Sequence, residues 1–343
     1  MKRSTDPAVP TAERFRAFAE VEARGMSACY EEWALGVSED TGVVELIDQL
    51  PPSKRQPNLV FSASRYLGAP VTGFAGFAQW LTANWPDVAS VCRSHFTQTN
   101  EPGRCASLLP ALAAVPGPLA LIEVGASAGL CLYPDRYSYR YRWPGTGEVR
   151  MLHPGPDRTA DAHSGSSEVL LDCELTGPVR LPDRLPRVVW RAGIDLNPLD
   201  VRNAEDVAWL DALIWPEHED RRSRLHSAVA LAAREPVELV RGDLVTEIEA
   251  LVEKAPAGAS VVVFHTAVLA YLDADARRDF VGLMGRLFVT WLANEGRGVV
   301  PGVTERLEAR GLRSATTADF VLARDGEPVA FTQPHGRALH WFG

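Results

Sequence analysis

The stretch Leu119–Leu130, LALIEVGASAGL, constrains what this chain can fold into more than any other. An apolar run passes through one acid, Glu123, into Gly125-Ala126-Ser127-Ala128-Gly129, where side chains almost vanish. Apolar residues at successive positions suit a strand buried on both faces, as in a parallel sheet covered by helices. Tiny residues at its carboxyl end suit a tight turn whose backbone a ligand can approach. N–H groups opening the next helix then suit an anionic group. Two chemistries share this spelling: a nucleotide-type cofactor loop, and Gly-x-Ser-x-Gly, a hydrolase nucleophile elbow with Ser127 as nucleophile.

Beyond Leu130 the chain reads as repeated strand and helix. Pro134 limits the helix after the turn to about two turns, because proline sits badly in a helix interior. From about 135 to 186 the chain is rich in Tyr, Arg, Gly and Pro and reads as a β-rich insertion, with strand-like pieces at Tyr137–Tyr141 and Val169–Leu175. Its YSYRYRW string interleaves aromatic and basic residues, which could stack nucleobases; alternation of this kind more often marks a two-faced strand. Regular order resumes with strands ending at Asp195 and Asp243, then Ser260–Phe264 with His265 at its end. A long apolar helix stripe is expected from Phe280 through Leu292, a short strand at Gly298–Val300, and a hairpin around Asp325-Gly326. Ahead of the key strand, proline-punctuated segments place Phe15, Phe18 and Ala19, and later Phe74, Phe77, Ala78 and Leu81, on helical faces. The expected organisation is a helical N-terminal layer over 1–105 and an α/β, doubly wound domain over 106–343.

Composition narrows the partners. The 343 residues carry a formal net charge of -9, against a surface that tracks a nucleic-acid backbone. No apolar run approaches a membrane span, and MKRSTDPAVPTAERF lacks a signal-peptide core, so the expected location is cytoplasmic. Five scattered cysteines without a C-x-x-C pair, and histidines without H-E-x-x-H, argue against a disulfide framework and a protein-held metal.

In such sheets ligands bind at the carboxyl ends of strands. An acid ending the second strand, Asp195, can accept both hydroxyls of a ribose, and one at the third, Asp243, can face an adenine edge. Each has a plainer alternative: Asp195 as a turn former before Asn197-Pro198, and Asp243 as the N-cap of a helix starting at Leu244. The string Gln98–Arg104 (QTNEPGR) places Asn100, Glu101 and Arg104 either at the mouth of this site or at a helix start capped by Asn100. A nicotinamide dinucleotide is less favoured, since Ser127 occupies the middle glycine position and Asp195 comes too late in sequence.

These motifs, in this order, resemble class I S-adenosylmethionine-dependent methyltransferases: Glu123 before Gly125 and Gly129, I-D-L-x-P at Ile194–Pro198, Gly242-Asp243, and the apolar strand Val261–His265. The resemblance covers about 118–343; the insertion and Ser127 are departures. It implies a Rossmann-like sheet with S-adenosylmethionine held by Glu123, Gly125, Ala126, Ser127, Gly129, Asp195, Leu196, Gly242, Asp243 and Leu244, with Asn100 and Arg104 at its mouth. It also implies a methyl acceptor, with His265 as general base and Asp135 and Tyr137 as acceptor contacts. Nothing in the sequence separates a metabolite from a peptide or a nucleobase, but the acidic balance disfavours large polyanions and the expected acceptor is a small molecule. The strings QTNEPGR, EVGASAGL, DRYSY, RAGIDLNPLDV, WLDALIWP and PHGRALHW resemble, more closely, the uncharacterised bacterial family called domain of unknown function 2332, which carries no established activity. Two other classes remain: a serine hydrolase pairing Ser127 with Asp273 or Asp319 and His335 or His340, and a non-catalytic adenosine-ligand-binding protein.

Overall fold

A computed structural model of the chain describes residues 8–98, 100–155, 169–314 and 319–343. In chain order the helices are α1 (Thr11–Phe18), α2 (Ala28–Glu39), α3 (Thr41–Ile47), α4 (Pro57–Tyr66), α5 (Phe74–Ser94), α6 (Arg104–Ala113), α7 (Ala204–Ala212), α8 (Glu219–Arg234), α9 (Leu244–Lys254), α10 (Ala274–Met284) and α11 (Val303–Ala309). The strands are β1 (Leu119–Val124), β2 (Ser138–Trp143), β3 (Glu148–Leu152), β4 (Leu170–Thr176), β5 (Val188–Asp195), β6 (Glu238–Arg241), β7 (Ser260–Thr266), β8 (Thr290–Gly296), β9 (Phe320–Arg324), β10 (Glu327–Thr332) and β11 (Ala338–Trp341). The chain divides into two units, Met1–Thr99 with Arg202–Ser223, and Asn100–Val201 with Arg224–Gly343. The first unit thus takes in a later segment as well as the N-terminal helices, and α6 belongs to the second.

The first unit is helical and built on aromatics. Trp33 stacks on Phe77 with ring centroids 3.9 Å apart, and Phe61 meets Phe15, Phe18 and Trp33 edge-on. Trp215, from the later segment, packs against Phe18 and Tyr30. Rings of this size bury large apolar areas, and their edge-to-face geometry adds to the burial. Ser27 and Asp40 cap α2 and α3, accepting the N–H groups of Tyr30 and Val43.

The second unit is a mixed α/β fold on a large, mostly parallel sheet ordered β3-β2-β4-β11-β10-β9-β8-β7-β1-β5-β6. β1 lies between β5 and β7 and is parallel to both. One face of the sheet carries Ile122, Val124, Ala192, Ile194, Val263, Trp291, Ala293 and Val321 under apolar residues of α9, α10 and α11. The six residues of β1 are all buried, as its unbroken apolar run requires. From β1 the chain order runs outward through β5 to β6, and then crosses back to β7 and β8.

Three local expectations give way to the sequence's competing signals. The apolar stripe from Phe280 to Leu292 is not one helix: α10 ends at Met284, and Thr290–Gly296 forms β8, parallel to β7. Helical and buried-strand patterns coincide over a short apolar run, and the β-branched Val289-Thr290 pair marks the change. Gly298–Val300 is a turn, not a strand, with Val299 N–H bonded to Gly296. Past Gly129 the chain makes a single 3₁₀ turn, Leu130–Leu132, where a short α-helix was expected.

The excursion after β1 extends the same sheet. β2 pairs with β3 and β4, and β4 pairs in parallel with β11; residues 156–168 of the expected insertion lie outside the described residues. YSYRYRW is a two-faced strand. Tyr137, Tyr139 and Tyr141 are fully buried and donate to the carbonyls of Leu130, Pro134 and Ala106, while Arg140 and Arg142 pair with Asp172 on the other face. The Tyr137 hydroxyl meets Leu130 at 2.6 Å. Replacing Tyr137 with Phe should therefore lower stability by about 1–2 kcal/mol, because the Leu130 carbonyl is left unbonded in a buried site. The reading is the urea midpoint at constant slope; an unmoved midpoint would show that the bond contributes nothing.

Candidate functional site

The residues that carry chemistry gather at the carboxyl ends of β1, β5, β6 and β7. Gly125 and Gly129 have φ of 68° and 73°, which only glycine adopts cheaply, and Ser127 between them stands at 52°. Ala267, in the turn after β7, is also left-handed at 60°. Strained residues thus end both central strands, a distribution typical of ligand sites. Gly125 has a second constraint: a Cβ there would lie 2.9 Å from Val268 Cγ1 and closer still to Cγ2. Gly193 on β5 makes room for the loop in the same way, since a Cβ on it would meet that of Ala126 at 2.5 Å.

β5 braces the loop. Gly125 and Ala126 donate to the Ile194 carbonyl, and Leu199 donates to that of Ser127. Asp195 accepts the Ser127 N–H with Oδ2 at 2.8 Å and the Asn197 N–H with Oδ1 at 2.8 Å. Its own carbonyl accepts the N–H of Gly242, so the ends of β1, β5 and β6 form one hydrogen-bonded chain. The loop's exit is pinned on both sides, with the Leu130 N–H donating to Asn100 Oδ1 at 2.7 Å and its carbonyl taking the Tyr137 hydroxyl.

Beneath the loop lies Glu123, buried and with Oε2 unpartnered. Burial, reinforced by Cys131 and Asp195 and opposed by Arg104, pushes its carboxyl well above the usual carboxylate range. A buried acid with one oxygen unsatisfied is the kind of group that marks functional sites. Arg104 spans from this region to the neighbouring strands, donating to the Thr266 carbonyl and hydroxyl and to the Pro334 carbonyl. Glu101 accepts from Gly103 N–H and holds Arg224 at 2.8 Å in a nearly buried ion pair.

A family model described as "Uncharacterized protein conserved in bacteria (DUF2332)" matches residues 12–341. The chain belongs to that family. No curated protein and no solved structure gives a significant match. The DUF2332 match runs through both units, so the helical unit and the sheet unit are together part of the family's architecture.

In this DUF2332 chain the sequence-predicted residues separate into groups. Asn100, Glu123, Gly125, Ala126, Ser127, Gly129 and Asp195 are linked directly or through shared contacts around the β1 loop. Leu196, next to Asp195, is 71% exposed. Gly242 is bonded to Asp195, whereas Asp243 turns its carboxylate to the Val245 N–H and caps α9, so the plainer alternative accounts for that contact. Leu244 begins α9. Asn100 does not cap α6; its side chain goes to Leu130 instead.

The three residues expected to contact the acceptor turn inward. His265 is fully buried, with Nδ1 at 2.7 Å from Glu295 Oε1 and Nε2 accepting from Trp291 Nε1 at 3.0 Å. Since indole N–H can only donate, this network assigns the imidazole proton to Nδ1, and neither ring nitrogen is left for a substrate. Asp135 is half-buried, with Oδ2 3.0 Å from Arg191 and Oδ1 without a partner, and its carboxyl is raised chiefly by burial. The Tyr137 hydroxyl is committed to Leu130. Sequence reasoning passed over Glu295, Arg191, Gly193 and Val268. An acid inside the apolar run TWLANEG was the available signal for Glu295, hidden by reading Trp291 and Leu292 as helix. Among the described residues no group of three or more His, Cys, Asp or Glu could hold a metal ion, and no helix is long and apolar enough to cross a membrane.

Proposed function

We propose that this DUF2332 protein binds S-adenosylmethionine on a Rossmann-like, doubly wound sheet and transfers its methyl group to a small-molecule acceptor. One observation carries the reading: the chain order reverses at β1, between β5 and β7, and the glycine loop lies at the carboxyl end of that strand. Open α/β sheets bind nucleotide-type ligands at this switch point.

Several features of the site fit such a cofactor. Glu123, just before the loop on β1, keeps one carboxyl oxygen without a partner, and the loop beyond it carries only Gly, Ala and Ser side chains. Asp195 holds the loop through the Ser127 N–H and stands at the end of β5, where a ribose would lie. Leu196 offers an exposed apolar side chain beside it. When bound, the cofactor would supply an electrophilic methyl group for in-line displacement. The chain would bind and orient, with Asp195 on a ribose and the β1 loop under the charged tail, and rate would come mainly from positioning. His265 contributes through its neighbours rather than as a base.

The hydrolase reading has support from strained Ser127 alone. Of its suggested partners, His335 sits in the turn after β10 beside Gly103, His340 pairs with Thr176 on strands remote from β1 in the sheet, Asp273 caps α10, and Asp319 takes the Ser314 hydroxyl.

Calorimetric titration with S-adenosylhomocysteine tests the proposal. A saturable heat at one site is expected. Neither heat nor thermal shift at about 1 mM ligand, where even a binding free energy near -4 kcal/mol would register, would overturn it.

A further inference from the structure

We infer that Glu295 is a positioning residue that sets the gap between the β1 loop and the turn after β7, with His265 holding it in place. The inference rests on the cofactor reading for what enters that gap, and on hydrogen bonds and packing at the ends of β7 and β8 for the rest.

Glu295 is fully buried on β8. Its Oε1 accepts three donors: the N–H groups of Val268 at 2.7 Å and Leu269 at 3.0 Å, and His265 Nδ1 at 2.7 Å. The Trp291 indole donates to the other side of the imidazole, so the ring cannot rotate away without breaking two buried bonds. Val268 and Leu269 are the residues just past left-handed Ala267, whose N–H is taken by the Asn294 carbonyl. One carboxylate oxygen therefore holds a strained turn down against the sheet. A turn of this kind persists only where its surroundings over-determine it.

The turn in its turn bears on the glycine loop. Val268 occupies the space a Cβ of Gly125 would need, so the two strand ends are in contact through one valine and one glycine. Moving Val268 by the length of a hydrogen bond opens the switch-point crevice from the β7 side. The bonds of Glu295 Oε1 go to His265 and the turn, while Oε2 is buried without a partner, and Glu295 acts on the loop through Val268.

The test uses the whole chain and the variants Glu295→Ala, Glu295→Gln and Val268→Ala. In ligand-free protein, hydrogen–deuterium exchange should quicken over both 265–272 and 123–130 in Glu295→Ala. In Val268→Ala it should quicken over 123–130 alone, because the carboxylate still holds the turn. Glu295→Gln, which keeps an acceptor oxygen, should stay near wild type. Affinity for S-adenosylhomocysteine should fall about tenfold in Glu295→Ala, within the usual range for coupled sites, and recover in Glu295→Gln. Unchanged exchange over 123–130 in both alanine variants overturns the inference, and if Glu295→Ala does not fold, Val268→Ala decides it. If wild-type protein binds no S-adenosylhomocysteine while the variants show these exchange changes, the cofactor reading is overturned and the positioning role stands.

Discussion

Gly125→Ala is expected to destabilise the protein by about 3 kcal/mol, a large loss for one methyl group. Two effects add. At φ of 68° an L-residue costs about 1–2 kcal/mol relative to glycine. The new Cβ would also overlap Val268, and forcing a methyl into packed surroundings costs about 1–3 kcal/mol. The two parts separate in a double-mutant cycle. Val268→Ala should restore the packing part in the Gly125→Ala background, but not the backbone part. Denaturant midpoints of the four proteins measure both. Strict additivity would mean that Val268 yields freely, and a total loss below about 1 kcal/mol would mean that the loop relaxes.

The second large effect is expected at Asp195. Alanine there removes the acceptor for the N–H groups of Ser127 and Asn197, each bonded at 2.8 Å. Hydrogen bonds to a charged acceptor contribute about 1.5–3 kcal/mol each. Asp195 is only partly buried, which brings the expected total to about 2–4 kcal/mol. Asparagine keeps one acceptor oxygen and should fall between. The same series addresses ligand binding. If Asp195 also accepts ribose hydroxyls, affinity for S-adenosylhomocysteine should drop about tenfold or more in the alanine variant. Lower stability with unchanged affinity would assign Asp195 to the scaffold alone.

That double demand on Asp195 illustrates what the sequence made legible and what it did not. Glu123, the glycines and Asp195 were readable because strand ends in an α/β chain announce themselves: apolar run, acid, tiny residues. The same reading could not tell whether an acid at a strand end faces outward or folds back. Asp195 folds back onto Ser127, and Asp243 onto Val245, because backbone N–H groups compete for any carboxylate within reach. The position of His265 at the end of β7 is legible in the sequence, and its direction is not. One residue along a strand reverses the face, and His265 shares the face of Val263 and Trp291, where Glu295 and the indole wait. β8 was lost inside an apolar stripe long enough to pass for helix, and Glu295 was lost with it. The pairing of the excursion with the end of the chain lay beyond pattern reasoning altogether, since register between strands so distant leaves no local trace.

That pairing bears on how the molecule comes to be made. β4 is complete once the chain has passed Thr176, yet one of its neighbours, β11, ends only at Trp341. During synthesis β2, β3 and β4 can zip together while β4 still presents a bare row of amides and carbonyls toward the missing strand. Exposed edges of this kind recruit other strands, including those of sister chains. Closing so long a loop is also slow, because its entropy must be spent before any of its contacts form. Of the described strands, β11 is therefore the last in chain order to reach this sheet.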